Sequence, residues 1–446
     1  MGGLGPPVLR SSVRALWLGR MALGVVFAGL FFGGATAAGE ALFLSLGVTL
    51  AAGVAWILAP SPVPLRRVGW PALAFAVVIG VAILTVVPLP TDLARSGLYG
   101  AVGGRSLSIA PAATFIEIAK LFGLGCVFLC GVFAGRGERT PGRLLDACIV
   151  FTALWAGWSL ILFAATGGQA RLGAPLLSPN TAATLLGVGW IVTVGRLLAW
   201  REARLDKSAK RWTLTWLAAA FVVIGVALAL TQSRAGLGIA VLCAIGLTAC
   251  WPARPGAGGL SKRGFALAGV AFALAIALEA GRGVLLRLPG LAAAAADRRE
   301  IFATYWAAFC DAPVFGGGLG SATYVTKLGL TPQTYDALWN VQSAHNWGLQ
   351  WLAEGGVAAA LPMGTAVAGL LIAAFRGLDV RSARLLLPLL FADAMVLTHG
   401  LTDFALQIPA FALYWSFLLG LQTAVSSPQA RRSIRSGGRA REEAGR

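Results

Sequence analysis

The chain has 446 residues, of which 57% are hydrophobic and 12% are charged, and its mean hydropathy is +0.77. This composition excludes an ordinary soluble domain of that length and indicates an integral membrane protein in a lipid bilayer. The formal charge of +18 would suggest a nucleic-acid partner in a soluble protein. Here the basic residues stand mostly in short segments between apolar runs, so we expect no nucleic-acid partner.

Apolar runs of about 20 residues, the length that crosses a bilayer as a helix, recur along the chain. The predicted fold class is therefore all-α, a polytopic membrane protein of about twelve transmembrane helices. The predicted spans are 17–38, 41–59, 70–88, 111–134, 146–165, 180–200, 213–231, 235–251, 265–281, 349–375, 385–401 and 405–424.

The charges between these spans predict their orientation. Of the 36 Lys and Arg residues, 26 fall on the side of the N-terminus, nine fall on the other side and Lys120 lies within a span. The positive-inside rule then puts both termini in the cytoplasm. The first helix is expected to stay uncleaved, because the apolar run from Met21 to Ala38 is long and lacks a convincing cleavage site.

The nine cations on the outer side stand against the topological bias, so each needs a specific reason. The largest outer segment, 282–348, contains an apolar stripe that predicts a helix lying on the membrane surface or covering a cavity. The stripe consists of Ile301, Phe302, Tyr305, Trp306 and Phe309. The run from Asp311 to Gly320 then breaks the helix, and its Pro and Gly residues allow tight turns and close approach to a ligand.

The chain has only two histidines, His345 and His399, and both are expected near the outer ends of helices. A histidine titrates near neutral pH and can accept or donate a proton, although either one could instead be a hydrogen-bonding cap. His345 is the stronger catalytic candidate because Asn346 and Glu354 follow it and could steady its ring. The Gly355-Gly356 pair after them lets a helix or a ligand come close.

Arg234 stands in the turn Thr231-Gln232-Ser233-Arg234-Ala235-Gly236, between two apolar runs that leave little room for a loop. A cation at that depth is costly unless an anion meets it. The anion is either Asp403 or Glu279 in a structural pair or a ligand phosphate, whose geometry suits a guanidinium group.

Arg298 and Arg299 are expected to open the amphipathic helix, where cations oppose the helix macrodipole. They are candidates for holding a phosphate group, with solvation on a loop as the alternative. Arg171, shortly before Ser178-Pro179-Asn180, is a third candidate.

Acidic residues in or near the spans are ambiguous. Glu117 and Lys120 have the spacing of a structural ion pair. Asp393 and Asp403 allow both a structural and a functional interpretation.

Taken in order, the motifs resemble the bacterial O-antigen ligase and polysaccharide polymerase superfamily. Four blocks carry the resemblance, over roughly residues 170 to 420. The first two are Ser178-Pro179-Asn180-Thr181-Ala182-Ala183 and the turn 231–236. The third runs from Arg298 through Phe302 to Pro313 and includes Gly316-Gly317-Gly318-Leu319-Gly320, the fourth is His345-Asn346 with Glu354-Gly355-Gly356, and a weaker fifth is Asp403 with Pro409. Two positions depart from the ligase pattern. Ala359 stands where Gly, Thr or Tyr is usual, and Phe302 where Trp is common, so ligase and polymerase both stay open.

The resemblance implies a GT-C-like membrane glycosyltransferase, without cofactor or metal, that acts on a polyprenyl-diphosphate-linked glycan donor. Arg234 and Arg298 would hold the diphosphate, with Arg299 and Arg171 as further candidates, and His345 would be essential. The acceptor would be lipid A-core in a ligase or the growing O-antigen or exopolysaccharide chain in a polymerase.

The predicted organisation has three parts. Residues 1–165 form N-terminal transmembrane helices, 166–425 form the catalytic region, and 426–446 form a disordered basic cytoplasmic tail. The expected location is the bacterial inner membrane, with the active site facing the periplasm. A transporter, which would carry its charges along a path through the membrane, and a structural scaffold are the alternatives from other classes.

Overall fold

The computed structural model describes residues 7–58, 68–137, 139–168, 171–176, 178–201, 206–252, 291–380 and 382–427. Regular secondary structure in these ranges is entirely helical, as the fold-class prediction requires. The α-helices of the described residues, in chain order, are α1 (Pro7–Phe31), α2 (Ala38–Leu58), α3 (Trp70–Val86), α4 (Pro111–Ala134), α5 (Thr140–Ala165), α6 (Pro179–Arg201), α7 (Lys207–Leu230), α8 (Arg234–Cys250), α9 (Leu291–Asp311), α10 (Ala322–Leu328), α11 (Tyr335–Leu338), α12 (Trp347–Arg376), α13 (Ala383–His399) and α14 (Pro409–Ser426).

Five of these helices, α4, α5, α6, α7 and α12, are long and apolar enough to cross a membrane. Apolar parts of α1, α2, α3 and α8 are shorter. Eleven predicted spans overlap described helices, whereas the span 265–281, residues 282–290 of the outer segment and nearly all of the predicted tail lie outside the described residues. A polytopic helical membrane protein is therefore supported, and the number twelve stays a prediction.

Helix α6 lies deep in the bundle. Its apolar window is 89% buried, whereas the windows of the other four long helices are 22–33% buried and leave wide apolar faces for lipid. It packs against α5, α7, α8 and α13, and small residues permit the close approach. A Cβ atom added at Gly187 would lie 2.6 Å from Cε of Met395, and one added at Gly189 would overlap Thr152.

The two predicted membrane parts share one bundle. Helix α14 runs along α4, where Gly131 and Gly420 are so close to the opposite backbone that neither site has room for a Cβ atom. The indole of Trp155 on α5 also donates to the carbonyl of Leu30 on α1, at 3.1 Å. Helices from residues 1–165 therefore support the region that carries the motifs.

A small helical layer covers one end of the bundle. Its apolar cluster joins α9, α10 and α11 to Tyr99 and to the start of α12. Ile301 and Tyr305 are buried in this cluster, whereas Trp306 is exposed. The predicted stripe is thus divided between two faces of α9, because Ile301, Tyr305 and Ala308 pack inward with helical spacing.

Several helix boundaries differ from the predicted ones. Helix α9 begins at Leu291, so Arg298 lies in its interior, and the predicted position at the helix start was wrong. Helix α1 ends at Phe31 and not at Ala38, because Gly33 and Gly34 adopt positive φ angles of 88° and 86° and turn the chain.

Candidate functional site

His345 lies where the start of α12 meets the end of α13. The backbone N–H of Trp347 donates to the carbonyl of Gly400 at 3.0 Å, and the Trp347 indole donates to the carbonyl of Leu397 at 3.0 Å. The half-buried ring of His345 packs edge-on against Phe404, with the ring centroids 5.0 Å apart. His345 has a φ of 51°, an unusual backbone conformation for a residue with a side chain.

Arg298, on α9, lies within electrostatic range of both imidazoles, that of His345 and that of His399. Burial and the positive charge of Arg298 lower the pKa of His345 below its ordinary value. The imidazole is therefore neutral near pH 7 and able to accept a proton.

The second histidine belongs to a buried polar network. His399 is 1% exposed, and its Nδ1 lies 2.7 Å from the hydroxyl of Thr184 on α6. The hydroxyls of Thr181 and Thr184 reach Oδ2 of Asp403 at 3.2 and 3.5 Å, and the N–H of Ala405 donates to the same oxygen. Burial raises the pKa of Asp403 to about 6, and its Oδ1 has no hydrogen-bond partner among the described residues.

The turn that contains Arg234 lies against this network. Ser233 caps α8 by accepting from the N–H of Gly236 at 3.3 Å. A Cβ atom added at Gly236 would lie 3.2 Å from Cε1 of His399. Arg234 is exposed and begins the helix whose first turn touches His399, so the Ser-Arg turn and the end of α13 meet at the same end of the bundle as His345.

Gln232, in the same turn, was missed by the sequence analysis as a separate candidate. It has a φ of 50°, and its Oε1 is buried without a partner among the residues the structure describes. Backbone strain together with an unsatisfied buried acceptor is uncommon and clusters at functional sites. The sequence offered no signal for it beyond its place in the motif.

Arg171 donates hydrogen bonds to two separate segments near the site. Its Nε donates to the carbonyl of Thr231 at 2.9 Å, and its Nη2 donates to Oδ1 of Asn180 at 2.8 Å. The guanidinium therefore connects the start of α6 to the Ser-Arg turn. These contacts give Arg171 a positioning role, which differs from the predicted contact with a diphosphate.

Two other outer cations also have structural partners. Arg95 donates to the carbonyls of Val102 and Ser106, and Arg105 donates to the carbonyls of Leu89 and Pro90. Both arginines therefore hold together the connection between α3 and α4. These carbonyl contacts explain why two arginines lie on the outer side, where basic residues are few, without a bound ligand.

Asn346 and Glu354 were predicted to steady the ring of His345. Their side-chain hydrogen bonds instead go to other groups. Oδ1 of Asn346 caps α12 by accepting from the N–H of Leu349 at 3.0 Å. Oε2 of the buried Glu354 accepts from the N–H of Gly320, and its Oε1 accepts from the N–H of Ala322 and the amide of Gln350. Both side chains thus shape the backbone near His345, because their oxygens are already engaged there.

The glycine-rich run lies against a break in α12. Gly356 has a φ of 55° within that helix, and the freed N–H groups of Val357 and Ala358 donate to the carbonyls of Pro313 and Val314, both at 2.9 Å. The N–H of Gly317 donates in return to the carbonyl of Ala353 at 2.9 Å. A close approach of another segment to Gly356 was predicted, and the segment that approaches it is the backbone of the glycine-rich loop.

Arg299 lies beside Arg298 and is exposed. It shares one open face of α9 with Arg298, Phe302 and Trp306. Among the predicted residues, then, the structure brings His345, Arg298 and the Arg234 turn to one end of the bundle and assigns local structural contacts to Asn346, Glu354 and Arg171.

Comparison with known proteins gives one family match. Residues 219–364 match the family model described as O-Antigen ligase, a range that contains Arg234, Arg298 and His345. Among curated proteins, none matches the chain. The family supports a membrane protein that ligates or polymerises polysaccharide. The resemblance predicted from the motifs is thereby confirmed for residues 219–364, which match the O-antigen ligase family.

Proposed function

We propose that the protein is a glycosyltransferase of the bacterial inner membrane. It moves a glycan from a polyprenyl-diphosphate carrier to an acceptor sugar at the periplasmic face, in the synthesis of lipopolysaccharide or another surface polysaccharide. The observation that carries the proposal is the position of Arg298, whose charge acts on the half-buried His345 at the junction of α12 and α13. A cation beside a neutral base is the pair that such a transfer needs.

Arg234 and Arg298 bind the diphosphate of the donor, with the exposed Arg299 beside them. Guanidinium groups match phosphate oxygens in geometry, and their charge offsets the negative charge that develops as the bond between sugar and phosphate breaks. In this proposal the arginines stabilise the leaving group without a metal ion. The polyprenyl tail stays in the bilayer.

His345 accepts the proton of the acceptor hydroxyl as that oxygen attacks the sugar. Its lowered pKa keeps the ring neutral and ready for this step. Attack opposite the diphosphate gives inversion at the sugar carbon. Asn346 and Glu354 contribute indirectly, by fixing the helix start and the loop that hold His345 in place.

The same chemistry serves a ligase and a polymerase, because only the acceptor differs. The transporter alternative has less support. Lys120 pairs with Glu117, Arg196 pairs with Asp146, and Asp393 accepts from the indole of Trp415, so these charges have partners along the described helices.

The test is complementation of a deletion strain with the wild-type protein, His345→Ala, Arg234→Ala or Arg298→Ala. For His345→Ala we expect loss of glycan transfer by about 10²- to 10⁴-fold while binding of the lipid-linked donor is kept. The arginine variants should instead bind the donor more weakly. Full product from His345→Ala would refute the proposal.

The glycans of the deletion strain also separate the two enzymes. Surface lipid without polymer, together with accumulated lipid-linked chains, identifies a ligase. Single unpolymerised units identify a polymerase.

A further inference from the structure

A second polar region lies beside the proposed active site, in a partly open crevice between α2, α4, α12 and the start of α14, with a cavity volume of about 60 Å³. Its polar lining consists of Ser45, Glu117, Lys120, Gln350, Glu354 and Gln407, with Trp351 and leucine side chains completing the walls. A few polar groups that converge between apolar walls are typical of a small-ligand site.

All these polar groups lie at the end of the bundle that carries His345. Glu117 is in the second turn of α4, Gln350 and Glu354 are among the first eight residues of α12, and Gln407 is two residues before the start of α14. One to two helical turns correspond to about 5–10 Å of depth. The crevice therefore lies close to that end of the bundle.

Gln350 connects the crevice to the candidate base. Its Oε1 accepts from the N–H of Ala344 at 3.1 Å, and Ala344 immediately precedes His345. Its amide nitrogen donates to Glu354 at 3.1 Å. A second connection runs through the turn before α14, since Phe404 packs on His345 while Gln407 lines the crevice.

The charges of the lining argue against a phosphate ligand. Glu117 and Lys120 pair with each other, and the oxygens of Glu354 accept from neutral N–H groups. The crevice therefore carries no excess positive charge. The diphosphate belongs with Arg234 and Arg298, and neither α8 nor α9 contributes a residue to the crevice.

The remaining hydrogen-bonding capacity suits a polyhydroxylated ring. Within the described ranges, the amide of Gln407 and the indole N–H of Trp351 make no hydrogen bond, and the Glu117–Lys120 pair keeps unused acceptor and donor positions. An indole also offers an apolar surface with a polar edge. Sugar rings present hydroxyl groups around a less polar face and match such a lining.

We propose that this crevice binds a sugar residue of the glycan acceptor. The proposal deepens the proposed function and rests on it. The acceptor sugar would enter from the side of α2, α4 and α14, and the donor diphosphate from the side of α8 and α9. His345 would then lie between the two substrates.

A binding experiment tests the crevice independently of transfer. The full-length protein in nanodiscs is titrated with free glucose, galactose and N-acetylglucosamine while tryptophan fluorescence is recorded. Wild type should show a saturable change at millimolar sugar for at least one of the three. Gln407→Ala, which keeps Trp351 as reporter, should weaken that affinity by about tenfold, equivalent to about 1.4 kcal/mol, whereas Lys327→Ala, an exposed cation on α10, should leave it unchanged.

A transfer assay then identifies the substrate that uses the crevice. Gln407→Ala and Trp351→Phe should raise KM for the acceptor and leave KM for the polyprenyl-linked donor within about twofold, a change below 0.5 kcal/mol. Equal effects on donor and acceptor would overturn the proposal, as would a wild type that binds none of the sugars saturably. If wild type binds sugar in the crevice but transfers no glycan, the proposed function fails while the sugar site stands.

Discussion

The hydroxyl of Thr184 lies 2.7 Å from Nδ1 of His399 and 3.5 Å from Oδ2 of Asp403, and so joins helix α6 to the end of α13. The residue after Asp403 is Phe404, whose ring packs on His345. The orientation of the candidate base thus depends on a contact with the deeply buried helix α6. A buried polar network of this kind restricts the positions that its members can adopt.

Thr184→Val should lower kcat of transfer more than it raises either KM. The substitution preserves shape but leaves His399 and Asp403 without a shared hydroxyl, so the turn that carries Phe404 loses a fixed position. Thr193→Val is the matched control, because Thr193 is equally buried on α6 and, among the residues that the structure describes, its hydroxyl bonds to the carbonyl of Gly189 alone. Equal kcat values for the two variants would exclude the positioning role of Thr184.

Glu354→Ala should lower the stability of the fold as well as the rate of glycan transfer. The N–H groups of Gly320 and Ala322 and the amide of Gln350 lose their acceptor, and each unsatisfied buried donor costs about 1–3 kcal/mol. Thermal unfolding in detergent should therefore begin at a lower temperature. Glu354→Gln, which retains one acceptor oxygen, should fall between wild type and Glu354→Ala. An unchanged unfolding temperature together with lost transfer would instead indicate direct participation of Glu354 in catalysis.

Gly356→Ala should disrupt the contact between α12 and the glycine-rich loop. Gly356 has a φ of 55°, and an added Cβ atom would overlap the carbonyl of Val314. Gly364→Ala on the same helix is the control, because no atom of the described part of the chain lies within 4 Å of the position its Cβ would take. The apparent melting temperature should fall for Gly356→Ala and stay the same or rise for Gly364→Ala. Equal melting temperatures would mean that the kink does not need glycine.

Helix positions were largely accessible from the sequence because they depend on runs of apolar residues. The starts of α6 at Pro179 and of α12 at Trp347 lie within one or two residues of the predicted boundaries. Both helices carry local signals, a proline in the first turn and an asparagine cap. Such signals need no knowledge of the tertiary structure.

The partners of the polar side chains were not accessible in the same way. Thr181 and Asp403 are 222 residues apart, and Glu354 bonds to backbone groups more than 30 residues away. Arginines on the outer side were expected to have a specific role, but Arg95 and Arg105 bind carbonyls of the connection between α3 and α4. Only the folded backbone shows which cations are already used and which face the candidate site.

The most direct measurement of the central claim is the pH dependence of kcat/KM for glycan transfer in wild type, Arg298→Ala and Arg298→Lys. Protonation of His345 removes the base, so activity falls as the pH drops through the pKa of His345. Burial and Arg298 lower that pKa, and the acid limb of wild type should therefore lie below the ordinary histidine value of about 6.5. Arg298→Ala should move the limb to higher pH and Arg298→Lys, which keeps the charge, should restore it. An acid limb that stays in place in Arg298→Ala would contradict a shared site for His345 and Arg298.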